Sequence, residues 1–178
     1  MKRPKRLQIL IILQLVFLFG YSCAPNLEKM IPEDRAFDFE STDKSINVSG
    51  GLQSSKKEHR EGKASIGSLE LKTVLVESIK KSNIFVKVSS DDTTNTSDYQ
   101  LSAWIIHQSA DNERASITIE YHIDGKELHF EKTIHASYNR HENYWSPSTG
   151  SKTLEHVVRK NMEKLLVELY LLLKRQNK

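Results

Sequence analysis

Three histidines and three glutamates crowd one short stretch: Glu120, His122, Glu127, His129, Glu131 and His135. Imidazole and carboxylate groups together suit zinc, so spacing decides whether they can meet at one ion. The apolar residues between them alternate. Ile117, Ile119, Tyr121 and Ile123 precede Asp124-Gly125, and Leu128, Phe130, Ile134 and Ala136 follow. Asp-Gly between alternating runs predicts a β-hairpin with a two-residue type I′ turn. In that register Tyr121 faces Leu128, Ile119 faces Phe130, and Lys132 falls opposite Ile117 on the apolar side, as at a bulge or a sheet edge. His122 then faces Glu127 and Glu120 faces His129, all on the polar side. Charge pairs on a solvated strand face use the same residue types. No HExxH and no close His-x-His pair is present. The expectation is therefore a solvated face, with no metal and no cofactor.

Two other sets could do chemistry. Ser146, Ser148 and Ser151 lie near His141 and His156 in sequence, the raw material of a nucleophile and its base. They flank Pro147 and lack the GxSxG elbow, so loop and capping roles are expected. Trp104, Ile106, Tyr144 and Trp145 are candidate partner anchors, because exposed aromatics concentrate binding energy. The competing reading buries Trp104 in the core and lets the loop aromatics cover a sheet edge.

Cys23 is the only cysteine, so no internal disulfide can form. It follows Lys2, Arg3, Lys5 and Arg6, then an apolar run from Leu7 to Phe19 broken by Gln8 and Gln14, then Gly20-Tyr21-Ser22. A basic start, a short apolar run and small residues before a cut site form a secretory signal. The run is shorter than the ~20 apolar residues a bilayer span needs. An uncleaved signal anchor and a plain secreted protein are the alternatives. Removing those first four bases leaves 22 bases against 23 acids, and removing residues 1–22 leaves 156 residues, enough for one domain. A chain so near neutrality carries no nucleic-acid footprint.

Ser22-Cys23 resembles the end of a bacterial lipobox, in which a small residue precedes the cysteine that receives diacylglycerol. Gly20 and Tyr21 differ from the usual Leu-Ala/Ser. The resemblance implies a signal peptide over 1–22 and lipid on Cys23. With Ala24 rather than Asp next, it implies sorting to the outer membrane, on its periplasmic face.

The positioning elements follow from periodicity. Residues 23–45 read as a lipidated N-terminus and polar tether with Pro25 and Pro32, in which Phe37 and Phe39 alternate as in an edge strand. Residues 46–178 read as a single domain. Ile46 to Ser49 is a short strand stopped by Gly50-Gly51, and Gln53 to Lys63 a surface loop. Leu71, Leu75 and Ile79, with Val74 and Ile66, predict a helix from Ser65, its N-cap, to Ser82. Ile84–Val88 is a strand and Ser89–Ser97 a loop. Tyr99, Leu101, Ala103 and Ile105 line one face of the next strand, with Trp104 and Ile106 on the other. After the hairpin and a loop from Asn139 to Gly150, Ser151 caps a helix reaching Leu173. Its stripe is Leu154, Val158, Met162, Leu165, Leu169 and Leu172, with Glu155, Arg159 and Glu163 on the far side. That stripe suits a coiled-coil partner, but the sheet's own apolar face needs cover first. The fold class is α+β: two layers, a mainly antiparallel sheet with two helices packed on one face.

The order of elements also resembles small envelope lipoproteins: the LPS-assembly lipoprotein, the auxiliary lipoproteins of ABC transporters and the YajG-like group. The resemblance rests on Leu71 to Val86, where a helix runs into a strand, on Asp98-Tyr99-Gln100-Leu101, and on the hairpin and late helix, over residues 46–173. It implies a non-enzymatic accessory of an envelope complex, anchored to the membrane and binding an envelope protein or lipid. A small metal-dependent hydrolase using the hairpin histidines and a surface adhesin are the alternatives.

Overall fold

The structure, a computed structural model, describes residues 24–33, 37–50, 58–90, 96–126, 128–139 and 149–176. Residues 1–22, expected to be a signal peptide, Cys23, Glu127, and the loop bearing His141, Tyr144, Trp145, Ser146 and Ser148 lie outside the described residues. Six strands, β1 (Thr42–Gly50), β2 (His59–Gly62), β3 (Phe85–Ser89), β4 (Tyr99–Ala110), β5 (Arg114–Gly125) and β6 (His129–Asn139), form one sheet. The order is β3-β1-β4-β5-β6, with β2 pairing β4 beyond the end of β1. Helices α1 (Ser68–Ser82) and α2 (Gly150–Gln176) share one core with the sheet. The α+β, two-layer class holds.

The sheet is more mixed than the alternation pattern implies. β4, β5 and β6 are antiparallel, but β1 runs parallel to β3 and β4, and β2 parallel to β4. α1 accounts for the pairing of β1 with β3: a helix carried between neighbouring strands returns the chain in the same direction. β2 lies in the segment read as a loop. Its four residues are all exposed, so no hydrophobic alternation marks it.

β1, β4, β5 and β6 each turn one row of side chains to the helices. Ile46 and Val48, Leu101 and Ile105, Ile119 and Tyr121, and Ile134 are buried there beneath Leu75 and Ile79 of α1 and Val158, Met162 and Leu165 of α2. Burial of each such side chain stabilises the fold by about 2 kcal/mol. A β-bulge at Ile106 interrupts β4: Ile105 pairs with Ile119, but His107 pairs with Thr118. The extra residue changes phase, so odd positions face the core up to Ile105 and Gln108 and Ala110 face it afterwards.

Gln108, fully buried, acts as a fragment of strand. Its Oε1 accepts from the Ile66 N–H (2.9 Å) and its Nε2 donates to the Ile66 carbonyl (2.9 Å) and to Glu58. These bonds hold the chain extended at Ile66 and delay α1. Gly67, not Ser65, is its N-cap, and the Gly67 N–H donates to Glu70 Oε2 at 3.0 Å. Asn83 ends α1 in the left-handed conformation (φ 55°), which Asn tolerates better than most residues. At the start of α2, Thr149 rather than Ser151 caps: its Oγ1 accepts from the Lys152 N–H at 3.3 Å.

The hairpin keeps its faces but moves its turn. Tyr121 pairs with Lys132, Ile123 with Phe130 and Asp124 with His129, and the Gly125 N–H donates to the Leu128 carbonyl at 2.8 Å. Relative to a turn at Asp124-Gly125, every partner moves by four residues. An even shift returns each side chain to the same face. Gly125 has no positive φ. Its role is clearance, because a Cβ there would lie 2.5 Å from Tyr99 Cδ1 and 2.8 Å from the Asp98 carbonyl. Lys132, inside an otherwise apolar row, reaches Glu168 at 2.9 Å on the outer edge of the sheet.

The polar stretch before β1 is not a free spacer. Leu27–Met30 forms a 3-10 helix whose Met30 is fully buried. The Asn26 N–H donates to Glu155 Oε1 at 2.7 Å, so Glu155, 7% exposed, faces this segment instead of the solvent side of α2. Phe37 and Phe39 add no strand. They stack on each other (4.8 Å), and Phe39 stacks on Tyr170 of α2 (4.6 Å).

One polar chain crosses the core. The buried Tyr121 hydroxyl donates to Asn161 Oδ1 at 2.6 Å, and Asn161 Nδ2 donates to the Ile134 carbonyl at 2.9 Å. Asn161→Ala strands two buried partners, with an expected loss of about 2–3 kcal/mol in urea unfolding. Burial pushes the Tyr121 phenol well above its ordinary 10.0. The folded chain therefore keeps a proton that the unfolded chain releases near pH 10. That stabilisation is complete below this pH and is lost as pH rises toward the folded value. Unfolding midpoints measured at neutral pH and above pH 10 should show wild type losing stability over this interval more steeply than Tyr121→Phe. Equal slopes would contradict the assignment.

Candidate functional site

The sheet face opposite the helices carries the candidate site. Alternation sends Ser102 and Trp104 of β4, Glu120 and His122 of β5, and Glu131 of β6 to that side, and the ladder sets them abreast. Trp104 pairs with Glu120, Ser102 with His122, and His122 with Glu131. His122 Nε2 lies 3.0 Å from Glu120 Oε1 and 3.8 Å from Glu131 Oε1. One donor atom from each of the three residues falls within 4.8 Å of the others. Glu120 is 8% exposed although it points away from the core. The Trp104 ring meets the imidazole of His122 edge-on, with centroids 4.7 Å apart and an 84° interplanar angle.

The pairs expected from the turn at Asp124-Gly125 do not form. His122 meets Glu131 instead of facing Glu127, and Glu120 meets His122 instead of His129. His129 Nδ1 lies 2.6 Å from Asp124 Oδ1, and His135 Nδ1 3.0 Å from Thr118 Oγ1. Among the described residues the three hairpin histidines thus share no partner, and only His122 sits between two carboxylates.

Trp104 and Ile106 are half-buried on this face, Ile106 as the extra residue of the bulge. Beyond it, His107 stacks on His59 of β2 (5.5 Å), and His59 Nε2 lies 2.7 Å from Glu61 Oε1. The hydrogen bond to Glu58 raises the Arg60 guanidinium above its ordinary value. At the other end of β4, Asp98 accepts from the Ser45 hydroxyl (2.7 Å) and the Ser45 N–H (2.8 Å), which hold its carboxyl below the ordinary value. Ser49 and Ser102 hydroxyls meet at 2.9 Å between these regions.

The serine–histidine set assembles nothing among the described residues. Ser151 is buried in the first turn of α2. His156 packs against Tyr138 (4.8 Å), and its pKa is lowered by burial and then by the charges of Arg159 and Lys160. A separate groove of about 730 Å³ runs between β6 and α2, lined by Phe37, Ile134, Val167 and several charged groups. Lysines guard that edge: Lys164 Nζ donates to the His135 carbonyl at 2.7 Å and Lys160 Nζ to the Ser137 carbonyl at 3.5 Å. Among the described residues no helix is long and apolar enough to cross a membrane.

No family model matches the chain, and no curated protein is similar to it. Solved structures share its shape. Protein XCC0632 from Xanthomonas campestris, described as DUF330, superposes with a TM-score of 0.57 at 10% identity, over 83% of this chain and 94% of that one. An uncharacterized protein gives 0.47 at 9% identity, over 75% and 94%, and the hypothetical protein CT253 from Chlamydia trachomatis gives 0.44 at 10%, over 70% and 96%. At such low identity the first likeness establishes a shared fold and no activity.

Proposed function

We propose that this chain is a non-enzymatic accessory lipoprotein of a cell-envelope complex. Cys23 carries its lipid, the domain stands on the periplasmic face of the outer membrane, and an envelope protein docks on the open sheet face. One observation supports the docking surface above all. Both helices pack on the same side of the sheet, and Trp104 and Ile106 occupy the opposite side, half-exposed at a bulge. Bulges bend a strand and re-aim its side chains, and a large aromatic ringed by polar groups has the composition of an interface centre. The anchor rests on the basic start, the apolar run and the Ser22-Cys23 pair.

Two measurements test the proposal. Mass spectrometry of the native protein should find the first residue to be an acylated Cys23, and Cys23→Ser should move the domain out of the membrane fraction. A photo-crosslinker at position 104 or 106 should capture one envelope protein in cells, while the same group at exposed Leu69 on α1 should not. Trp104→Ala, with its fold intact, should weaken that complex by at least about thirtyfold, as loss of a central aromatic anchor does. A bare or uncleaved N-terminus would refute the anchor. Capture equal to the Leu69 control would refute the docking face.

A further inference from the structure

We infer that Glu120, His122 and Glu131 form a binding site for one divalent transition-metal ion of the zinc type, independent of any partner docking. The donor set is one imidazole nitrogen and two carboxylate oxygens, presented by adjacent strands of the open face. Zinc binds such donors at about 2.0–2.2 Å, and tetrahedral angles then place neighbouring donors about 3.3 Å apart. The observed separations from His122 Nε2, 3.0 Å to Glu120 and 3.8 Å to Glu131, bracket that value. All three donors lie within 4.8 Å of one another, and the Glu131 side chain, 56% exposed, is free to swing inward and close the remaining gap.

The surroundings favour a cation. The open-face rows beside the cluster hold Gln100, Ser102 and Trp104 on β4, Thr118 and Asp124 on β5, and His129, Thr133 and His135 on β6, with no lysine or arginine. Two carboxylates and a neutral imidazole sum to minus two, which a divalent ion balances. Trp104, edge-on to the imidazole, limits rotation of the ring and keeps Nε2 toward the carboxylates. An imidazole among the donors selects zinc, copper or nickel over calcium and magnesium. Three protein ligands leave a fourth position for water on the solvent side.

The test titrates the full chain, stripped by chelator, with zinc ions in a calorimeter. A Cys23→Ser chain is run in parallel, so that any unlipidated Cys23 thiol is removed as a competing ligand. One saturable equivalent is expected for both. His122→Ala and Glu120→Gln should each weaken binding at least tenfold, and His129→Ala should leave it unchanged. The zinc-dependent rise in melting temperature should vanish in His122→Ala. Glu131 is exposed, so Glu131→Gln keeps the fold and supplies a second variant, expected to weaken zinc severalfold, should His122→Ala fail to fold. No saturable zinc binding, or binding that survives His122→Ala or Glu131→Gln at full strength, overturns the site.

Discussion

Two helices on one side of a sheet can bury only one row of side chains from each strand, and this one-sided burial governs the molecule. It fixes the parity of every strand, because a slip by one residue would expose Ile119 and Tyr121 and bury Glu120 and His122. It also explains where a core amide is tolerated. Asn161 sits at the centre of the apolar layer, yet it satisfies Tyr121 and the Ile134 carbonyl together and so ties helix to both strands of the hairpin. The polar row has no such cover, and the chemistry-bearing side chains gather there.

Much of the fold was legible because it depends on parity and period. The apolar stripes of both helices and the inward rows of β4, β5 and β6 follow directly from residue spacing. What spacing could not convey was set by contacts distant in sequence. Gln108 holds Ile66 extended from 42 residues away, and that decides where α1 starts. Tyr99 needs an unhindered neighbour, and that is what Gly125 provides, so the Asp-Gly pair signalled a close approach rather than the turn itself. β2 offered no apolar signal, since backbone pairing and the His59–His107 stack hold it to β4. The parallel pairing of β1 with β3 follows from a helix lying between them, a topological inference that residue alternation does not contain.

The candidate site was half legible. Its residue types stood out in the sequence, and the even shift of the hairpin left them on the anticipated face. Their grouping depended on the register, which the position of the turn decides. Moving that turn by two residues exchanged Glu127 for Glu131 as the acid opposite His122. The placement of Trp104 beside His122 needed the alignment of β4 with β5, a pairing between separate strands that no local pattern encodes.

The seating of the N-terminal segment has a mechanical consequence. Asn26 is clamped to Glu155 and Met30 is sunk in the core, so Ala24 and Pro25 alone separate residue 23 from rigid structure. The three steps from residue 23 to Asn26 span at most about 11 Å. Whatever immobilises residue 23 therefore moors the entire body on almost no slack. Such a body swivels about its attachment but does not drift away from it, and the first turns of α2 stay nearest the mooring.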